Sequence, residues 1–234
     1  MESQKITPTK SAASRRSYDD ACGAAHALDL VGERWALLVI RELMLGPKRF
    51  SDLRRDLPGI SANVLTQRLE GLEEIGVLVR RRLPPPVSAQ VYELTHWGYE
   101  AEPILQVMGR WAARSPSHDP SLPLSAVSLL LSFRTMCDPA RAKGLKMRVG
   151  LNIGGETYVV RVADGAVEAE RAPIGNVDFT LTGPAPAIAG AVYGGVPLET
   201  LEAQGVLKVE GDRAAAERFV TLFPLPPKVG AEQP

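Results

Sequence analysis

The sequence predicts an α+β protein in two unlike parts, and three observations carry that prediction. Up to about residue 114, apolar residues recur at helical spacing, interrupted by one short apolar run and its return. From about residue 145 they alternate, as in half-buried strands. Between the two, SPSHDPSLPLS at 115–125 holds three prolines and four serines without apolar periodicity, which marks a joint. A chain of 234 residues is long enough for two modest domains. It divides into an arm at 1–19, a first domain at 20–114, a linker at 115–124, a second domain at 125–226 and a tail at 227–234.

The first twenty residues are polar and carry no apolar core of an export signal, so they read as a mobile arm of a cytoplasmic protein. No apolar run approaches the roughly 18 residues that a membrane span needs. Residues 24–45 place Ala27, Leu30, Val31, Trp35, Leu38 and Leu45 near one stripe, predicting a core helix closed by Gly46 and Pro47. His26 within it reads as a core histidine. Phe50, Leu53, Leu57 and Ile60 predict a second helix with Ser51 as N-cap, ended by Pro58 and Gly59.

Ser61 then caps a third helix, with Leu65, Leu69, Leu72 and Ile75 on one stripe and Asn63, Thr66, Gln67, Glu70 and Glu74 opposite. Gly76 suits the left-handed position that ends it. Val77, Leu78 and Val79 run as a strand into Arg80, Arg81 and Arg82, prolines 84–86 break it, and QVYEL at 90–94 returns. Thr95 caps a last helix carrying Ile104, Leu105, Met108, Trp111 and Ala112, which Pro103 should kink. Three helices, a β-ribbon and a helix, in that order, make a winged helix-turn-helix.

Each part has a job on DNA. The major groove admits one helix, and side chains that donate and accept read its base edges. Ser61, Asn63, Thr66 and Gln67 lie near the N-terminus of the third helix, where such contacts are made. Arg80, Arg81, Arg82, Ser88 and Gln90 border the wing, and with Lys48, Arg49, Arg54, Arg55 and Arg68 they are the candidates for the phosphate backbone. The net charge is zero, with 16 Lys and Arg against 14 Asp and Glu up to Ser115, so local clustering of cations carries the reading rather than overall charge.

In the second half, AVSLLLSFRTMC at 126–137 is too apolar for a single stripe and predicts a helix covered on more than one side. Leu145 to Ile153 and Tyr158 to Val162 alternate around Gly154 and Gly155. A strand around Val167 and Ala169 follows the turn at Asp164 and Gly165, and VDFTLT at 177–182 is a fourth. Two helices, the strand GVLKVEGD and the helix DRAAAERFVTLF complete a smaller α+β domain, an antiparallel sheet covered by helices.

The first half, in Cys22, ALDLVGERWALLVIREL, GPKRFSDLRRDLPGISANVLTQRLEGLEEIGVL, VYELTHWG and GRWA, resembles the HxlR family of bacterial winged-helix regulators over about residues 20–114. The resemblance implies a homodimer, held by the first and last helices of the domain, on a palindromic operator. An apolar face around Ile104, Met108 and Trp111 fits that interface. In some members a cysteine at the position of Cys22 senses oxidants or electrophiles. Here CGAA stands where many relatives have a proline after the cysteine, and Cys22 reads more readily as a buried, inert thiol. The second half, over roughly 124–224, resembles the sterol carrier protein type two fold, which often encloses an apolar tunnel. Leu130, Phe133, Met136, Tyr158, Phe179 and Tyr193 either grip an apolar effector or fill a packed core.

Catalytic motifs are missing from the sequence: His26, His96 and His118 are scattered, no Cys/His cluster has metal-ligand spacing, and there is no nucleotide loop or nucleophile elbow. The expectation is a transcriptional repressor, not an enzyme, with no cofactor or metal. Its alternatives are a thiol sensor working through Cys22, and a lipid carrier or interaction protein that does not bind DNA.

Overall fold

Residues 24–45 do not form one helix. In the computed structural model, which describes residues 17–84 and 88–230, α1 (Gly23–Val31) stops at Gly32 and α2 (Ala36–Leu43) begins after Trp35, whose φ is +78°. Glycine is a poor helix interior residue, and the left-handed turn at Trp35 re-aims the chain. Ala36, Val39, Ile40 and Leu43 then face the core while Leu38 turns outward. No residue of α1 is buried, and His26 is exposed rather than a core histidine. Most of the arm at 1–19, the prolines at 85 and 86 and the last four tail residues lie outside the described residues.

The helix α3 (Phe50–Asp56) has Arg49 at its N-cap, so Ser51 sits inside the first turn and not at the cap. Next, α4 (Ala62–Glu74) starts where Ser61 Oγ accepts the Val64 N–H at 3.2 Å, and it buries Leu65, Leu69 and Leu72. Gly76 takes φ +76°, a conformation glycine adopts without Cβ strain, and turns the chain into β1 (Leu78–Arg82). This strand pairs antiparallel with β2 (Gln90–Leu94), Arg82 opposite Gln90. Thr95 caps only the one-turn α5 (His96–Tyr99). A separate helix, α6 (Glu102–Ala113), holds Pro103 in its first turn, where no N–H is needed, so the proline starts the helix instead of kinking it.

The central helix is α7 (Ala126–Met136), whose Val127, Leu129, Leu130, Leu131, Phe133 and Met136 are all buried because elements of both halves cover it. Beyond it come β3 (Lys146–Ile153), β4 (Glu156–Ala163), β5 (Ala166–Arg171), β6 (Phe179–Thr182), α8 (Ala185–Tyr193), α9 (Leu198–Ala203), β7 (Lys208–Gly211) and α10 (Arg213–Val220). The sheet order is β5-β4-β3-β6-β7. It is antiparallel except that β6 runs parallel to β3, a departure from the expected all-antiparallel sheet. Two hairpins make β5 run the same way as β3, and the crossover at 172–178 carries the chain to the far side of β3 without reversing its direction. Gly150 makes room for that crossover, since a Cβ there would lie 2.9 Å from the Ile174 side chain.

The two halves share one buried core. Polar contacts close the seam: Ser125 Oγ, the N-cap of α7, donates to Glu42 Oε1 at 2.6 Å, and Arg134 Nη1 donates to both Glu102 carboxylate oxygens at 2.7 and 2.8 Å. Lys228 reaches back to the Ala113 and Ser115 carbonyls at 3.1 and 3.0 Å. Among the described residues no helix is long and apolar enough to cross a membrane.

Candidate nucleic-acid interface

The leucine face of α4 is anchored in the core, so the opposite face is held outward. Ser61, Asn63, Thr66 and Gln67 are all exposed, and the C-terminal half leaves them uncovered. The Ser61 hydroxyl oxygen serves the cap while its O–H stays available to donate. Asn63 and Gln67 lie one turn apart on the same face, a spacing that lets both amides address neighbouring base edges.

Arg80, Arg81, Arg82, Ser88 and Gln90 line one depression on the β1–β2 wing. Arg80 pairs with Glu73 at 3.1 Å and lies 5.5 Å over the Tyr92 ring, and Arg81 pairs with Glu93. Arg82 has no carboxylate partner among the described residues, and the same is true of the exposed Arg49 and Arg54. Arg68 is engaged at the bend between α1 and α2, donating to the Arg34 carbonyl at 3.1 Å and pairing with Glu33 at 3.1 Å. Arg55 lies among Asp52, Asp56 and Glu156, which offset its charge and hold its guanidinium pKa above the ordinary value, led by the Asp56 hydrogen bond.

Lys48 is not available to DNA. Its backbone bridges to Tyr92 in both directions, which turns the side chain inward, and only 3% of the residue is exposed. The ammonium sits 2.7 Å from Glu42 and 2.7 Å from Asp56. Burial opposes ionisation of Asp56, but hydrogen bonds from Arg55 and Lys48 outweigh it and lower its pKa. Glu42 was missed in the sequence, although a carboxylate beside the apolar stripe of α2 is a signal, because a buried charge needs a buried partner.

Cys22 is exposed, which overturns the expectation of a buried thiol. It occupies the N-cap of α1, where the Ala24 and Ala25 N–H groups lower its pKa. Cys137 is half-buried, and burial pushes its thiol up. Ile104, Met108 and Trp111 are exposed on α6 at 49%, 47% and 76%. Val107, at 71%, belongs to the same face and was missed, though it lies three residues from Ile104 and four from Trp111.

The effector residues split. Leu130, Phe133, Tyr158 and Phe179 are fully buried parts of a packed core rather than a cavity lining. Phe133 stacks on Phe223 at 4.6 Å, Phe179 meets Phe219 at 5.7 Å, and Tyr158 donates to Glu156 beneath Arg171. Met136 and Tyr193 instead border a groove between the two halves. Among the described residues no group of three or more His, Cys, Asp or Glu is placed to hold a metal ion.

Two family models match the chain, one in each half. The HxlR-like helix-turn-helix family model matches residues 30–119, and the alkyl sulfatase C-terminal family model matches residues 121–228, the half with the sterol-carrier-like arrangement. Among solved structures, the reduced form of YodB from Bacillus subtilis is 35% identical, with a TM-score of 0.38 over 42% of this chain and 98% of that one. In sequence, the chain is similar to the HTH-type transcriptional regulator YodB of Bacillus subtilis, 38% identical over 86 residues, covering 37% of this chain and 77% of YodB. It is also similar to the HTH-type regulator YvaP of the same organism, 37% identical over 86 residues, covering 37% of this chain and 80% of YvaP. With most of such regulators covered at this identity, the chain belongs to the HxlR-like helix-turn-helix family of DNA-binding transcriptional regulators.

Proposed function

We propose that the protein is a dimeric repressor that lays α4 of each protomer into the major groove of a palindromic operator, and that it acts by binding rather than by catalysis. The observation that carries this reading is the exposed Ser61, Asn63, Thr66 and Gln67 face, set opposite three buried leucines. Arg82, with Arg80 and Arg81, serves the adjoining phosphates, and Arg49 and Arg54 serve the flanking backbone. Two protomers join through the exposed apolar faces of α1 and α6, around Leu28, Ile104, Met108 and Trp111. An apolar small molecule modulates the affinity.

A salt titration of binding to the protein's own promoter region tests DNA recognition. Affinity should fall with a log–log slope of about 0.9 per phosphate neutralised. A flat response would instead favour a carrier or interaction protein.

A second reading, thiol sensing through Cys22, is favoured by the exposure and lowered pKa of that thiol. In it, oxidation of Cys22 releases DNA. A Cys22→Ser protein that still releases DNA under oxidant would remove this reading and leave DNA binding intact.

A further inference from the structure

A groove of about 550 Å³ runs between the two halves, a volume within the roughly 300 to 1,000 Å³ of small-molecule sites. One wall is DNA-binding domain: Leu37 and Leu38 of α2, and Leu105, Gly109 and Ala112 of α6. The other is Leu131, Ser132 and Met136 of α7 with Tyr193 of α8, and Leu122 and Leu124 of the joint close one end. Neither half forms the site alone.

Its polar groups define the ligand. Ser132 Oγ donates to the Leu129 carbonyl at 2.7 Å, so its bond with the Tyr193 hydroxyl has Tyr193 as donor. That order leaves the Tyr193 oxygen with a free lone pair, and burial raises its pKa, so the phenol stays protonated. At the edge, Arg41 is paired with Glu42, Glu102 with Arg134, and Asp119 accepts from Ser121. The one guanidinium of the lining, Arg41, already donates through Nε and Nη2 to Glu42, which disfavours an anionic head group.

We infer that this groove binds an uncharged, mainly apolar molecule that donates one hydroxyl or N–H hydrogen bond to Tyr193. This rests on the effector reading above and relocates the effector, from the interior of the C-terminal domain to its seam with the DNA-binding domain. A ligand there touches α2 and α6 on one side and α7 and α8 on the other. Its occupancy therefore bears on how the C-terminal half holds the helices that position α4.

The test uses the full chain and the neutral fluorophore N-phenyl-1-naphthylamine at pH 8. The expected result is saturable binding of one fluorophore per protomer, displaced by 1-decanol and at least tenfold less well by decanoate. Gly109 offers a way to block the groove, since a Cβ there meets nothing within 4 Å. Gly109→Leu should weaken fluorophore binding at least tenfold. Ala112→Phe should do the same, which provides for a folding defect in either variant. Tyr193→Phe should weaken decanol about fivefold, the worth of one hydrogen bond.

Wild-type binding in both blocked variants would place the fluorophore elsewhere and overturn the site. Equal displacement by decanoate would overturn the assignment of an uncharged ligand. DNA binding measured without fluorophore is scored separately, so a protein with a steep salt slope and no saturable fluorophore binding loses this site and keeps its regulatory reading.

Discussion

Lys48 shows how far residue type alone can mislead. In the sequence it stands beside Arg49 as one more cation for phosphate, yet in the fold it neutralises Glu42, which is completely buried. Replacing Lys48 by methionine should destabilise the protein by about 1.5 to 3 kcal/mol in urea unfolding, because the buried Glu42 carboxylate loses one of its two cations and keeps only Arg41. The salt slope of DNA binding by the folded fraction should not change. A shallower slope with unchanged stability would return Lys48 to the interface. Asp56 adds a pH dependence: its folded pKa is depressed, so its contribution is full above the unfolded value of about 4 and is lost as pH falls through the lower folded value. Cys22 was misjudged for a related reason, since nothing in CGAA reports that no residue of α1 is buried. With Cys22 lowered and Cys137 raised, iodoacetamide at pH 7.5 should label Cys22 first, as peptide mass spectrometry would read. Preferential labelling of Cys137 would contradict the exposure of α1.

At the scale of elements, α4 and its wing were legible because several local signals agree. Ser61, the leucine stripe, Gly76 and the β1 residues each act within a few positions of one another. Ser61→Ala should cost about 1 kcal/mol of stability for the lost cap, read in the same urea experiment. Arg81→Ala with Arg82→Ala should reduce the salt slope by about 1 for each phosphate contact removed, and an unchanged slope would remove the wing from the contact set. The break between α1 and α2 was not legible. Its apolar residues fit one helical period across Gly32, and only tertiary packing makes the left-handed turn at Trp35 worth its strain. The parallel placement of β6 escaped for a similar reason, because strand alternation says which residues share a face and nothing about which neighbour a crossover reaches.

For the whole molecule, the joint at 115–125 suggested two independent bodies, yet α7 is buried by both halves and the apolar core runs through them. Calorimetric unfolding should therefore show one cooperative transition, and two resolved transitions would separate the halves. The apolar stripe of α6 has the opposite character, since its exposed residues have no cover within the protomer. Trp111→Glu should convert the proposed dimer to monomer in sedimentation and weaken binding to a palindromic site, while a native sedimentation profile would remove this face from the proposed interface. The proposed function rests on the amide face of α4 meeting duplex DNA. The most direct measurement compares wild type with Gln67→Ala on the operator and on an unrelated duplex at one salt concentration. The expected loss is about 1 to 3 kcal/mol on the operator, with almost none on the unrelated duplex. Equal losses on both, or none on either, would contradict base reading by α4.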